Sequence, residues 1–174
     1  MPLGQLKRLD DRWQLQFTRR LPHSPQKVWR ALTEPEHLRA WFPAEIHGER
    51  AAGAALRFVF PNHEGPTAGG EMVAYDPPSL LEFTWGETTL RFELRPEGDG
   101  TVLTFLNTFE ELGRAARDAA GWHACLDLLA RRLSDEAPPW APNKRWQQVH
   151  PSYVESFGPE AATIGPPRPL TDQA

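Results

Sequence analysis

Cysteine is nearly absent from this sequence, since Cys125 is the only one among 174 residues. A single thiol excludes an intramolecular disulfide and a zinc site built on a cysteine pair. No stretch approaches the roughly 20 apolar residues of a membrane helix, and residues 1–11 lack the apolar segment of a secretion signal. We therefore expect a cytoplasmic protein with no membrane partner.

Positive charge is also scarce, because 19 Lys and Arg residues face 23 Asp and Glu residues, for a net charge of −4. No run of Lys and Arg forms a basic patch, which argues against a nucleic-acid partner. Nucleophile motifs, glycine-rich phosphate loops and zinc signatures are missing as well. The sequence therefore predicts no catalytic residue, no metal site and no cofactor. It does not exclude an enzymatic activity, but no motif supports one.

The clearest periodic pattern predicts a helix over Gly113 to Leu133. Its apolar residues recur at alternating spacings of four and three, which places them on one face of the helix. These residues are Ala115, Ala119, Trp122, Leu126, Leu129 and Leu133. At 1.5 Å per residue the helix is ~30 Å long, so it requires a large apolar partner.

A series of short strands supplies that partner. Large apolar and polar residues alternate from Trp13 to Leu21 and again in runs between Pro43 and Phe109, as in strands with one buried and one solvated face. Turn residues divide the second segment into six strands. The sequence thus predicts an α+β protein whose seven-stranded antiparallel sheet is covered on one side by the long helix.

Two short helices are predicted between the first strand and the remaining six. Ser24 and Pro25 form a helix start, and the next nine residues carry an apolar face. A second short helix includes Pro35 and Leu38 and ends before Pro43. This order is strand, two helices, six strands and long helix.

The composition changes after the long helix, since eight of the 18 prolines lie between Ala137 and Ala174. We therefore expect one domain over residues 1–136, with its core at 12–135, followed by a proline-rich C-terminal extension, 137–174. Within the extension, Trp146, Val149 and Tyr153 have helical spacing. They predict a short helix at about 144–157 that docks on the domain.

Several segments together resemble one family. They are Val28–Thr33, Pro35–Leu38, Trp41–Phe42, Gly70–Pro78, Leu81–Trp85, Gly100–Phe105 and Gly121–Trp122. In this order they resemble SRPBCC or START-like domains, in the branch named for the activator of the ninety-kilodalton heat-shock chaperone's ATPase. The resemblance covers roughly residues 12–135. It implies a helix-grip fold, in which a curved seven-stranded antiparallel sheet wraps around the C-terminal helix and two small helices close one end.

The resemblance implies more than one possible role for the protein. The resemblance implies a chaperone-activating interaction module, with a chaperone as partner or a homodimer, or an enzyme of the cyclase or hydrolase type. Members commonly carry a histidine near the end of the last strand, where this sequence has Asn107. A role attached to that histidine is therefore not carried over to this chain.

Aromatic strand faces opposite an apolar helix face favour a cavity that binds a small hydrophobic or amphipathic molecule. Asn107 shares a strand face with Phe105, so it could orient such a ligand, although it could equally be a water-bonded residue at a strand end. The aromatic rings could likewise line a cavity or simply fill the core. The predicted ligand-binding residues are Trp41, Phe42, Phe58, Phe60, Phe83, Trp85, Phe92, Phe105, Asn107, Trp122 and Leu126.

Overall fold

The structure is a computed structural model that describes residues 2–60, 68–141 and 143–165. Its strands are β1 Gln5–Leu9, β2 Arg12–Leu21, β3 Glu45–His47, β4 Ala55–Val59, β5 Ala68–Asp76, β6 Leu80–Trp85, β7 Thr88–Glu97 and β8 Gly100–Phe109. Its α-helices are α1 Pro25–Thr33, α2 Pro35–Leu38, α3 Ala115–Leu133 and α4 Lys144–Phe157. Residues 166–174 of the predicted C-terminal extension lie outside the described residues.

The strands form one antiparallel sheet in the order β1-β2-β8-β7-β6-β5-β4-β3. With α3 as its cover, this arrangement confirms the predicted α+β class and the helix-grip fold. The predicted strand number was wrong by one, because the sheet has eight strands instead of seven. The additional strand is β1, which forms a hairpin with β2 across Asp10 and Asp11. Its side chains are almost all exposed, so it lacks the alternation from which the other strands were predicted.

The sheet bends at β5. The start of this strand pairs with β4 and its later part with β6, and the register with β6 shifts between Met72 and Ala74, as at a β-bulge. Gly70 makes the bend possible, because a Cβ placed there would lie 1.9 Å from the Thr84 carbonyl oxygen. The backbones of β5 and β6 therefore approach too closely for any residue but glycine at this point.

α1 packs against β7 and β8, and α2 packs against β3. The Ser24 side chain accepts a hydrogen bond from the Lys27 amide and thereby caps α1, with Pro25 in its first turn. Beyond α2, Trp41 is buried and donates its indole N–H to the Ala31 carbonyl oxygen at 2.8 Å. This bond fixes the segment after α2 against α1.

The interior between the sheet and α3 is filled by aromatic rings. Successive centroids lie 5.8 Å apart for Phe58 and Phe83, 6.2 Å for Phe83 and Phe92, and 4.7 Å for Phe92 and Phe105. All four side chains are 2% exposed or less. These stacked rings are the centre of the core and leave no room for a ligand among them.

α3 is buried on two faces. One contains the predicted apolar residues, of which only Trp122 is half-buried, and the other contains Ala116, Ala120, His123 and Asp127. The second face packs against α4, which runs on through Pro151 and buries Val149 and Tyr153. α3 is therefore held between the sheet and α4, an arrangement that its apolar pattern alone did not predict.

Candidate functional site

A cavity of about 800 Å³ lies beside α3, at the point where the sheet, α3 and the C-terminal extension meet. The sheet and the segments next to it contribute Pro43, Phe60, Ala68, Trp85, Gly86, Thr88 and Asn107. α3 and the residue before it contribute Arg114, Arg117, Asp118, Gly121, Trp122, Ala124, Cys125 and Leu128. The extension contributes Pro138, Trp140, Asn143, Arg145 and Trp146. The volume falls within the range of small-molecule sites.

Aromatic side chains dominate the walls of this cavity. Four of the seven tryptophans line it, namely Trp85, Trp122, Trp140 and Trp146, together with Phe60. The Trp85 centroid is 6.1 Å from that of Phe60 and 6.5 Å from that of Trp122. Behind them, Trp122 packs edge-on against the core ring of Phe105 at 5.0 Å. The cavity is thus a lateral continuation of the aromatic core.

Asn107 is the most deeply buried polar side chain in the cavity wall, at 2% exposure. Its Nδ2 donates to the Thr89 carbonyl oxygen at 3.3 Å. Since a carbonyl oxygen can only accept, this contact fixes which end of the amide is nitrogen. The Oδ1 atom is buried and accepts no hydrogen bond from the described residues. A ligand that donates a hydrogen bond would satisfy it.

Charged groups stand at the α3 side of the cavity. The Asp118 carboxylate accepts hydrogen bonds from Arg114 Nε at 2.5 Å and from Arg117 Nε at 2.9 Å. Two guanidinium groups thus share one carboxylate, which leaves a surplus positive charge at this end. The arginine side chains are 29% and 24% exposed, so solvent screens them only in part.

Hydrogen bonds between buried polar groups attach the extension to α3. The Tyr153 hydroxyl accepts from the Gly4 amide at 2.8 Å and lies 2.7 Å from His123 Nδ1. Because Gly4 already donates to the hydroxyl oxygen, the hydroxyl hydrogen can be directed to Nδ1, which makes His123 Nε2 the protonated nitrogen. Nε2 then faces Asp127 Oδ2 at 3.5 Å, and the same oxygen accepts from Arg145 Nε at 2.6 Å.

Burial keeps His123 and Tyr153 in the neutral forms that these hydrogen bonds require. Desolvation lowers the pKa of His123 to about 4, although Asp127 opposes the shift. Desolvation also raises the pKa of Tyr153 to about 12. All three of His123, Tyr153 and Asp127 are at most 5% exposed. They therefore hold α4 in place and do not reach the cavity, except through Arg145, which lines it.

Cys125 lines the cavity, and its thiol is not activated. Desolvation raises the pKa of Cys125 to about 12, so the thiolate is scarce at neutral pH. Among the described ranges, no group of three or more His, Cys, Asp or Glu residues could hold a metal ion. Within the same ranges, no helix is both long and apolar enough to cross a membrane.

The structure divides the eleven predicted ligand-binding residues into two groups. Phe60, Trp85, Asn107 and Trp122 line the cavity. The other seven, Trp41, Phe42, Phe58, Phe83, Phe92, Phe105 and Leu126, lie in the buried core behind it. A cavity must have an accessible wall, and alternation along a strand cannot distinguish such a wall from the filled interior beside it.

The sequence did not predict the cavity residues at the start of α3 or those of the C-terminal extension. Arg114, Arg117 and Asp118 occupy no apolar position of the helical pattern, although the spacing of Arg114 and Asp118 by four residues is a signal for a helical ion pair. Trp146 was predicted only to dock the extension. Trp140, between two proline-rich stretches, had no periodic pattern at all.

The comparisons with known proteins identify the family. The profile of the family "Activator of Hsp90 ATPase homolog 1-like protein" matches residues 22–134. This chain belongs to that family. The match confirms the resemblance to the SRPBCC superfamily, and membership is compatible with ligand binding or with a role like that of the chaperone activator. No curated protein sequence matches this chain.

Solved structures share the fold over most of the chain. A conserved protein of unknown function from Enterococcus faecalis, EF2215, has 26% identity and a TM-score of 0.73 over 88% of this chain and 90% of that chain. CalU16 from Micromonospora echinospora has 21% identity and a TM-score of 0.69 over 88% and 95%. DynU16, described as a protein in the dynemicin biosynthetic locus, has 25% identity and a TM-score of 0.63 over 72% and 48%.

Proposed function

We propose that this protein binds a small apolar or amphipathic molecule in the cavity between the sheet, α3 and the C-terminal extension. One observation carries the proposal, which is that Asn107 lines the cavity while its buried Oδ1 atom has no hydrogen-bond partner among the described residues. A buried acceptor without a donor costs about 1–3 kcal/mol. A ligand with one hydroxyl or N–H group at this position would remove that cost while its rings cover the tryptophan faces.

The same wall offers little support for catalysis. Among the described residues, its titratable side chains are Arg114, Arg117, Asp118, Cys125 and Arg145. Asp118 is engaged by two arginines, Arg145 by Asp127, and the Cys125 thiol has a raised pKa. None of these side chains is therefore available as a free general base, and the thiol of Cys125, the one nucleophile among them, keeps its proton at neutral pH. We therefore propose binding and assign no reaction.

A chaperone-activating role rests on the family name alone. It requires an exposed protein-binding surface, whereas Leu3, Leu9 and Val73 are the only exposed large hydrophobic residues in the part of the chain that the structure describes. The cavity has the size of a small-molecule site, so it favours a small-molecule ligand over a protein partner.

Two matched probes test the proposal. We expect 2-naphthol, which has one donor, to bind about tenfold more tightly than 2-methoxynaphthalene, which has none, since a factor of ten corresponds to about 1.4 kcal/mol. Isothermal titration calorimetry measures both affinities, and quenching of tryptophan fluorescence gives an independent readout from the cavity wall.

The variant Asn107→Leu replaces the amide with an apolar side chain of similar size. It should bind the two probes equally, because the acceptor that distinguishes them is gone. Thr104→Val, on the outward face of the same strand, is the control and should keep the tenfold preference. Failure of the intact protein to bind either probe, or a preference that survives Asn107→Leu, would count against the proposal.

A further inference from the structure

We infer that the ligand is a flat aromatic acid, with a hydrogen-bond donor at one end and a carboxylate or similar anion at the other. This inference rests on the proposed function and names the class of molecule that the same cavity selects. It is carried by three features of the wall, namely the arginine pair, the tryptophan faces and the deep burial of the Asn107 amide.

Arg114 and Arg117 have N–H donors that make no hydrogen bond with the described residues. Asp118 accepts only the Nε–H group of Arg114 and of Arg117, and the Nη groups of both arginines donate no hydrogen bond to the described residues. A guanidinium presents its Nη groups in a plane that matches the two oxygens of a carboxylate. Because two positive charges share one negative charge, an arriving anion completes the neutralisation.

The wall shape favours a ring over an alkyl chain. Among the described residues, five aromatic side chains line the cavity, whereas Leu128 is the one leucine there and no isoleucine, valine or methionine contributes. Broad indole faces gain most contact area from a planar partner. A fatty acid carries the same anionic group, but its flexible chain would lose conformational freedom in order to follow these walls.

The burial of the polar groups orients the ligand. Asn107 is 2% exposed, whereas the Arg114 and Arg117 side chains are 29% and 24% exposed. The donor end of the ligand therefore lies inward at Asn107 Oδ1, and the acid end lies outward at the arginines. This polarity keeps the charged group partly hydrated and buries the ring, which is the lower-energy arrangement.

Three probes separate charge from shape on the unmodified protein. 6-Hydroxy-2-naphthoic acid has the ring, the donor and the acid, its methyl ester lacks the charge, and decanoic acid has the charge without the ring. We expect the naphthoic acid to bind about fivefold more tightly than its ester at about 50 mM NaCl, with the difference shrinking at about 500 mM. We expect decanoic acid to bind more weakly than either.

Each outcome decides between ligand classes. If the ester binds as tightly as the acid, or if decanoic acid binds most tightly, the inference of an aromatic acid is wrong while the proposed binding function stands. If no probe binds to the folded protein, the proposed function fails together with the inference.

Variants assign the charge effect to the arginine pair. Asp118→Asn removes the competing carboxylate and should strengthen binding of the naphthoic acid severalfold without changing that of the ester. The double variant Arg114→Gln and Arg117→Gln should lower the affinity for the acid to that for the ester. Arg132→Gln, at an exposed position of the same helix outside the cavity, is the control and should change neither affinity. An unchanged acid-to-ester ratio in Asp118→Asn would overturn the inference even if the double variant does not fold.

Discussion

The part of the chain that matches the family, residues 22–134, and the C-terminal extension are held by different forces. Stacked, fully buried aromatic rings stabilise the sheet against α3. The extension is attached to α3 by directional polar contacts, including Trp146 Nε1 to the Arg117 carbonyl oxygen at 3.0 Å and Arg145 to Asp127. Apolar packing dominates in the first region, whereas the extension combines the buried side chains of Val149 and Tyr153 with these hydrogen bonds.

This difference bears on the cavity, because its walls come from both regions. Apolar packing is tolerant of small shifts, but hydrogen bonds fix distance and direction. We infer that the polar contacts exist to hold Trp140 and Trp146 in place as the third wall. Four substitutions and one pH measurement compare the two regions, from the largest expected effect to the smallest.

Removal of a central ring should have the largest effect on stability. Phe105→Ala deletes a fully buried ring that contacts Phe17, Phe92 and Trp122, and should lower the free energy of unfolding by about 3–5 kcal/mol. Urea denaturation measures the loss. The same substitution at half-buried Phe60 should cost less than half as much. Equal losses at the two positions would mean that the cavity wall is packed as densely as the core.

The contact between α3 and α4 should make stability depend on pH. His123 has a folded-state pKa of about 4, below its unfolded value of 6.5, so the unfolded chain takes up its proton first as the pH falls. The contribution of neutral His123 to the free energy of unfolding is therefore fully present above pH 6.5. It is lost as the pH falls toward 4, by about 3 kcal/mol in all.

Chemical denaturation between pH 4 and pH 7 measures this loss, with His123→Gln for comparison. The variant should lose a large part of the pH dependence. Some will remain, because burial also lowers the pKa of His23 and of His150. His37→Gln, at a half-buried position outside the contact between α3 and α4, is the control and should retain the part of the pH dependence that comes from His123. Identical pH profiles for His123→Gln and the unmodified protein would contradict the placement of a neutral His123 beneath α4.

Loss of the Tyr153 hydroxyl should have an intermediate effect. Tyr153→Phe keeps the buried ring but leaves the Gly4 amide and His123 Nδ1 without their partner, at a cost of about 2 kcal/mol. Thermal unfolding measures the change. Tyr75→Phe is a matched control, since the Tyr75 hydroxyl makes no hydrogen bond with the described residues, and it should be nearly neutral. A neutral Tyr153→Phe would show that the polar contacts do not secure the extension.

Substitution of a rim tryptophan should cost the least stability. The guanidinium carbons of Arg131 and Arg145 lie 5.0 Å and 5.4 Å from the centroid of the Trp140 ring, so Trp140→Ala should lower the free energy of unfolding by about 1 kcal/mol. It should nevertheless weaken binding of 2-naphthol, because one cavity wall is removed. Trp13→Ala removes a ring stacked on Arg8 outside the cavity and should leave the affinity unchanged. Equal affinities in the two variants would place the ligand away from the extension.

The sequence predicted the elements whose side chains alternate or recur periodically, and it missed those that lack such patterns. β6 to β8 and α3 carry regular apolar faces because the core requires them. β1 is an exposed edge strand, so no burial pattern marks it. His123 and Asp127, four residues apart, face α4. Their role depends on Tyr153 and Arg145, which are 30 and 18 positions away from their partners along the chain.

The candidate site, like the fold, was predictable only where its residues belong to a local pattern. Asn107 stands out as a polar residue on an apolar strand face, and Trp85 and Trp122 were predicted on facing elements. Which rings fill the core and which line a cavity depends on where α4 and Trp140 lie, and no local pattern contains that information. The division of the chain into a domain, 1–136, and the C-terminal extension, 137–174, stays a prediction. We propose that the described part of this extension completes the cavity wall.

A crystal structure of the protein with 2-naphthol bound tests the central claim most directly. The account predicts the naphthalene ring in the cavity against Trp85 and Trp122, with its hydroxyl oxygen within hydrogen-bond distance of Asn107 Oδ1. A ring bound elsewhere on the molecule, or a hydroxyl directed away from Asn107, would contradict it.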